Sequence, residues 1–185
     1  DFVDHGWRWI DYLGVDPALE RDYMRKSAET IARLTGSKPL GYYAGTPSLA
    51  TRRLAKAAGY LYDSDAYNDD LPYWVDVEGA PHLVIPHTLD TNDTRLARGL
   101  GWGQAGDFFT CLRDEFDALY QEGATQPRMM TVALHCRLAG KPARAAAFAR
   151  FLDYAMSHDK VWVCRRAEIA EHWRTHYPPK GTTRV

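Results

Sequence analysis

Cysteine is scarce here. Cys111, Cys136 and Cys164 are the only three, and no two of them form a CxxC pair, so neither a disulfide framework nor a cysteine-built zinc knuckle is expected. No run of about 18 apolar residues occurs, so no membrane-spanning helix is expected, and no secretory leader is legible. Excess charge of one sign is missing as well: 23 basic against 24 acidic residues leave a formal charge of -1. That withholds the positive field by which nucleic acid or an anionic membrane is gathered. There is no GxSxG elbow, the usual mark of a serine hydrolase of the α/β type. These absences point to a cytoplasmic protein with reduced thiols, without nucleic acid or membrane.

What remains is a composition able to bury a core, with 45% hydrophobic and 25% charged residues in 185. Residues 1–177 are expected to form the C-terminal part of one domain, followed by a flexible tail over 178–185, "PPKGTTRV". Helix signals recur. In "DPALERDYMRKSAETIARLTG", Asp16 reads as the N-cap and Pro17 as the first helical residue. Leu19, Tyr23, Ile31 and Leu34 form the apolar spacing and Gly36 the stop. "SLATRRLAKAAG" repeats this logic up to Gly59. "GDFFTCLRDEFDALYQEG" sets Phe109, Leu112, Phe116, Leu119 and Tyr120 on one stripe, "PARAAAFARFLDYAMSH" does so with Phe148, Phe151, Leu152 and Ala155, and "AEIAEHWRTHY" is a short last helix.

Between them lie "PLGYY", "YLYDSD", "HLVIPHTL", "MMTVALHC" and "KVWVC", strand-like in length and in Val, Ile, Tyr and Leu content. "DAYNDDLPYW" reads as an acidic, turn-rich loop. Alternating strands and helices predict an α/β fold, a parallel sheet or barrel wrapped by helices. About five strands do not close a barrel. Residues 2–6 read as a strand end with no strand before it, so the fold is expected to be part of a distorted (β/α) barrel, incomplete at its N-terminus. It would be completed upstream or by another chain, and a homo-oligomer is expected.

In such folds chemistry gathers at the carboxyl ends of strands. Those ends offer His5, Tyr43 to Thr46, Asp63, Asp65, His87, Asp90 and His135. A zinc site is not expected from these residues alone: the position four after His5 is Trp9, which cannot ligate, and His82 and His87 flank a strand holding Pro86. Zinc would need ligands from outside the chain. Cys136 follows His135 directly, so on a strand their side chains would point apart. General acid/base hydrolysis by water remains, with His5, His135 and a carboxylate moving protons and backbone N–H groups of "YAGT" receiving the oxyanion.

The segments "DHGWRWIDY", "GYYAGTPS", "TRRL", "LYDSDAYNDDLPYW", "PHLVIPHTLDTND", "ALHCRLAGKPARAAAFARFLDY" and "HDKVWVCRRAEIAEHW", taken in order, resemble the allantoinase branch of the polysaccharide deacetylase superfamily. The resemblance implies that His5 matches the first histidine of the family's zinc-binding HxxxH, that Trp9 replaces the second, and that His135 matches the general acid of its LxH motif. Gly41 and Ala44 stand where deacetylases carry the arginine and tyrosine of Arg-x-Pro-Tyr. The branch implies metal-independent opening of allantoin to allantoate, with His5 and His135 catalytic and Trp9, Tyr43, Ala44, Asp63 and Asp65 shaping the substrate pocket. A zinc-dependent deacetylase of chitooligosaccharide or peptidoglycan, and an inactive binding or assembly module, are the alternatives.

Overall fold

The protein is described by a computed structural model covering residues 1–97 and 103–179; of the expected tail, 180–185 lies outside the described residues. The chain divides into two compact units, Asp1–His87 with the chain from Cys164 onward, and Thr88–Val163.

The first unit is built on a five-stranded sheet: β1 (Val3–Asp4), β2 (Gly41–Tyr42), β3 (Tyr62–Asp63), β4 (Tyr73–Val77) and β5 (Ala80–Val84). Their order is β1-β2-β3-β5-β4. The first three and β5 are mutually parallel, and β4 pairs antiparallel with β5. The sheet is therefore mixed. Residues 73–77, whose first two are expected within a loop, form a strand because Glu78 and Gly79, both at positive φ, turn the chain back into β5. Gly41 carries no side chain for a packing reason: a Cβ there would overlap the ring of Tyr62 on the neighbouring strand.

Three helices join this unit: α1 (Pro17–Thr35), α2 (Thr51–Ala57) and, late in sequence, α6 (Arg166–His176). Asp16 caps α1 as expected, accepting from Ala18 N–H at 2.8 Å and Leu19 N–H at 3.3 Å, and Gly36 ends it. The buried face is only partly the expected one: Tyr23 packs against the core. Leu19 and Leu34 are exposed, whereas Glu20, Met24 and Ser27, at i, i+4 and i+7, turn inward. Two of those three are polar and are satisfied inside: Glu20 accepts from Ser48 Oγ at 2.6 Å and from Thr51 Oγ1, and Ser27 Oγ donates to Asp4 at 2.6 Å. Met24 joins Tyr12, Tyr42, Leu54, Ala55 and Tyr60 in the core.

The second unit holds α3 (Ala105–Glu122), α4 (Cys136–Ala139) and α5 (Pro142–Met156). Helices α3 and α5 pack through Phe108, Leu112 and Phe116 against Ala147, Phe151 and Ala155. Phe108 rather than Phe109 is the fully buried first position, and Tyr120 is exposed. "MMTVALHC" contributes one parallel bridge, Asn92 to Ala133, in place of a strand, and no ladder among the described residues runs along 161–165. Both segments have strand composition, but a strand exists only where a partner backbone answers it.

Candidate active site

In the sheet of the first unit, Asp4, Tyr42, Asp63 and Val84 stand in one register row at the carboxyl ends of the parallel strands. The ladder runs one residue further: Tyr43 N–H donates to Asp4 O, Ser64 N–H to Tyr42 O and Ile85 N–H to Asp63 O, each at 2.9 Å. Side chains alternate along a strand. The row of Asp4 and Asp63 is therefore buried, and the next row presents His5, Tyr43 and Ser64 to a cavity of ≈ 170 Å³ whose wall is completed by Val3, His87 and Arg166.

The buried row fixes the row above it. Asp4 is fully buried and accepts from Gly6 N–H at 2.8 Å, Ser27 Oγ at 2.6 Å and Tyr60 Oη at 2.5 Å. Gly6, at φ 80°, turns the chain immediately after His5. Asp63 is 1% exposed and accepts from Arg52 Nε at 2.8 Å and Nη2 at 3.1 Å, while His82 Nε2 lies 3.2 Å away. Burial alone would raise its pKa, but the His82 ring and the Arg52 guanidinium outweigh burial and hold it below the usual carboxylate value. The resemblance implies that Asp63 touches substrate; its carboxylate is instead consumed inside the fold.

Asp65 and Ala44 need the same correction. Asp65 accepts from Ala44 N–H at 2.9 Å and Gly45 N–H at 2.8 Å, and burial raises its pKa to about 6 against these two opposing bonds. Two of the expected oxyanion donors of "YAGT", the Ala44 and Gly45 N–H groups, are thereby occupied, and Ala44 itself is 1% exposed. Asp65 shapes the loop that carries Tyr43 rather than the cavity wall.

The cavity rim is a group of rings. His5 lies 4.8 Å from Tyr43 and 5.9 Å from Trp9 between centroids, and Tyr43 stacks on His87 at 4.6 Å. Trp7 and Trp9 are both exposed, so neither is core. Tyr43 Oη shares a 2.8 Å hydrogen bond with Tyr67 Oη. Burial pushes the Tyr43 phenol well above its usual pKa, so it stays protonated at neutral pH.

Sequence reasoning gives no role to Arg166 or Ser64 and none to His87 beyond its place at a strand end. Arg166 Nη1 donates to Ser64 Oγ at 2.9 Å and to Ile85 O at 3.1 Å, and Nη2 donates to Pro86 O at 3.1 Å. Burial lowers its pKa from the ordinary value, yet a guanidinium keeps its charge in proteins. The only sequence signal is an arginine at the start of a helix, and its partner Ser64 is 102 positions away.

In the second unit His135 caps α4 at the end of the bridge segment. Its Nδ1 lies 2.6 Å from Asp93 Oδ1, and its own backbone N–H donates to Asp93 Oδ2 at 2.7 Å. Ala139 N–H donates to the same Oδ2 at 3.0 Å. Asp93 is completely buried while the His135 side chain keeps 24% exposure, so the carboxylate fixes the ring and leaves Nε2 as the nitrogen able to exchange a proton. Cys136 starts the helix instead of continuing a strand, and it is exposed.

The donor set does not suit zinc. Among the described residues no three His, Cys, Asp or Glu side chains converge on one point. The ring neighbours of His5 include Trp9 and Tyr43, which do not make up a zinc ligand set.

No family model matches the chain. A Schizosaccharomyces pombe protein assigned to the polysaccharide deacetylases is 39% identical over 96% of this chain and 61% of its own length. The crystal structure of PuuE allantoinase superposes with a TM-score of 0.91 at 51% identity, over 95% of this chain and 59% of that one. A Pseudomonas aeruginosa structure described as a probable polysaccharide deacetylase gives 0.93 at 50% identity, over 97% and 61%. The chain thus spans about three fifths of the length of the proteins it matches. With a mixed α/β sheet shared with those structures and the similarity running along nearly its whole length, the chain belongs to the polysaccharide deacetylase superfamily.

Proposed function

We propose that the protein hydrolyses a non-peptide C–N bond in a cyclic amide, with allantoin opening to allantoate as the reaction, within cytoplasmic purine catabolism. Residues 1–177 act in this reading as part of one catalytic domain. The observation that carries it is the Asp93–His135 pair: a buried carboxylate 2.6 Å from Nδ1 holds an imidazole ready to deliver a proton from Nε2. In ring opening the oxygen of water bonds to the carbonyl carbon and the C–N bond breaks. The electron pair goes to nitrogen, nitrogen takes a proton, and the new acid leaves as a carboxylate. His135 supplies the proton to nitrogen and Asp93 steadies the imidazolium before transfer. His5 orients and activates water, with Tyr43 and Trp9 fixing its ring.

Two features favour a small heterocycle over a polymer. The cavity of ≈ 170 Å³ is below the range of about 300–1,000 Å³ typical of drug-sized ligand sites. The residue set around His5 fits a metal-independent mechanism better than a zinc one, as Trp9 stands where the superfamily resemblance places a ligand. The second reading, zinc-dependent deacetylation of an amino-sugar polymer, is favoured by the yeast and Pseudomonas relatives; the Pseudomonas structure matches as well as the allantoinase does. The test is allantoin turnover by the full-length protein with and without a strong chelator, beside a zinc assay. Turnover that survives chelation is expected. No turnover, or turnover that returns only with zinc, would sink the first reading in favour of the second.

A further inference from the structure

Backbone N–H groups of "YAGT" are the oxyanion donors expected from the sequence, and three of them are spent inside the fold. Tyr43 N–H donates to Asp4 O at 2.9 Å, and Ala44 and Gly45 N–H donate to Asp65 at 2.9 Å and 2.8 Å. A different donor stands beside His5. The Tyr43 side chain lines the cavity, and its hydroxyl is paired with Tyr67 Oη at 2.8 Å. Two phenols carry two protons, and the bond between them uses one. The second stays on whichever oxygen accepts.

Both hydroxyls are held in place. The Tyr43 ring has His5 at 4.8 Å and stacks on His87 at 4.6 Å. Tyr67 sits in the loop after β3, and its neighbours on both sides are tied down: Ala66 O accepts from His87 N–H at 2.8 Å, and Asn68 Oδ1 accepts from Tyr73 Oη at 2.9 Å. Gly45, at φ 81°, leaves room in front of the pair. A Cβ there would lie 3.5 Å from His5 Cε1 and 3.7 Å from Tyr43 Oη. His5 and the phenol thus border one point, and glycine leaves it open.

We propose that Tyr43 Oη donates a hydrogen bond to the carbonyl oxygen of the amide under attack, and that Tyr67 is the positioning residue that donates to Tyr43 and turns its proton toward the cavity. The inference rests on the hydrolase reading and deepens it, by naming the group that meets the negative charge as water adds. When the water oxygen bonds to carbon, the carbonyl π pair moves onto oxygen; when the C–N bond breaks, that pair returns. The phenol keeps its proton throughout, and only its hydrogen bond strengthens. Burial supports this by holding Tyr43 protonated. A hydroxyl polarised by a second hydroxyl is a stronger donor than one alone, and a donor aimed at developing charge acts on the transition state more than on the bound amide.

The experiment is steady-state kinetics of the full-length protein on allantoin and on an N-acetylglucosamine oligomer, for the parent, Tyr43→Phe, Tyr67→Phe and the double variant. Infrared difference spectra of bound hydantoin accompany it. Phenylalanine keeps each ring and removes only the hydroxyl. On whichever substrate is turned over, Tyr43→Phe is expected to lower kcat about 10²- to 10³-fold with KM changed by less than about threefold. Tyr67→Phe is expected to lose about tenfold in kcat, and the double variant no more than Tyr43→Phe alone, because Tyr67 acts through Tyr43. The carbonyl stretch of hydantoin is expected at lower frequency on the parent than in water, and to return toward the solution value in Tyr43→Phe. Unchanged kcat in Tyr43→Phe, or a rise in KM alone, overturns the donor. Additive losses in the double variant overturn the role of Tyr67. Should Tyr43→Phe fail to fold, an unchanged kcat and carbonyl frequency in Tyr67→Phe overturns the proposal. A Tyr43-dependent carbonyl shift without turnover of either substrate keeps the donor and removes the hydrolase reading. Turnover that does not depend on Tyr43 removes the donor alone, and neither turnover nor a shifted carbonyl overturns both.

Discussion

In the proposed reaction Asp93 and His135 act as a unit: the imidazole would carry the proton, and the carboxylate 2.6 Å from Nδ1 would fix which nitrogen is free to carry it. Replacing His135 by alanine in the full-length protein is expected to lower kcat for allantoin by about 10²- to 10⁴-fold. Asp93→Asn should also lower kcat, because a carboxamide no longer fixes which ring nitrogen of His135 is free; an unchanged kcat in a variant with the parent's urea midpoint would contradict the pairing. Asp65 makes a separate prediction about stability. Its pKa rises from 3.8 to about 6 on folding, so between those values the folded protein holds a proton that the unfolded chain has released. Its contribution therefore weakens stability as pH rises from about 4 to about 6, with a constant penalty above. Asp63, depressed below its usual value, acts oppositely and withdraws stability only as pH falls through its folded pKa. Thermal melts of Asp65→Asn against the parent should diverge across pH 4–6, with the variant gaining as pH rises; parallel curves would contradict the assignment.

At the scale of elements, the sequence exposes the capped helices and the strand ends bearing His5 and Tyr43, because caps, periodicity and short apolar runs are local signals. It hides whatever depends on a distant partner. Leu19 and Leu34 suggest one apolar face for helix α1, yet its inner face carries Glu20 and Ser27, whose burial is tolerable only through Ser48, Thr51 and Asp4. Asp93 is visible only as part of a polar run, since 42 positions separate it from His135. Among the described residues the segments 129–136 and 160–164 have strand composition but no ladder beyond the single bridge at Ala133. Two predictions belong here. Glu20→Ala leaves buried hydroxyls unanswered and should cost about 2–4 kcal/mol in urea denaturation, with Glu20→Gln costing less. Gly41→Ala drives a methyl group into Tyr62 and should cost about 1–3 kcal/mol; an unchanged urea midpoint would contradict the packing of β2 on β3.

At the scale of the molecule, the residues of the proposed chemistry are divided between the two compact units, His5 and Tyr43 in one and Asp93 and His135 in the other. A homo-oligomer is the expected state of the full-length protein, and sedimentation equilibrium measures it directly. Among the described residues no helix is long and apolar enough to cross a membrane. The link from Arg166 to Ser64, 102 positions earlier, also has a meaning for synthesis. The strands that frame the cavity leave the ribosome long before the side chain that supplies its charge. Until that arginine arrives, the nascent sheet has a gap at the carboxyl ends of β3 and β5, and a protein released early would have the rings of the rim without the cation behind them.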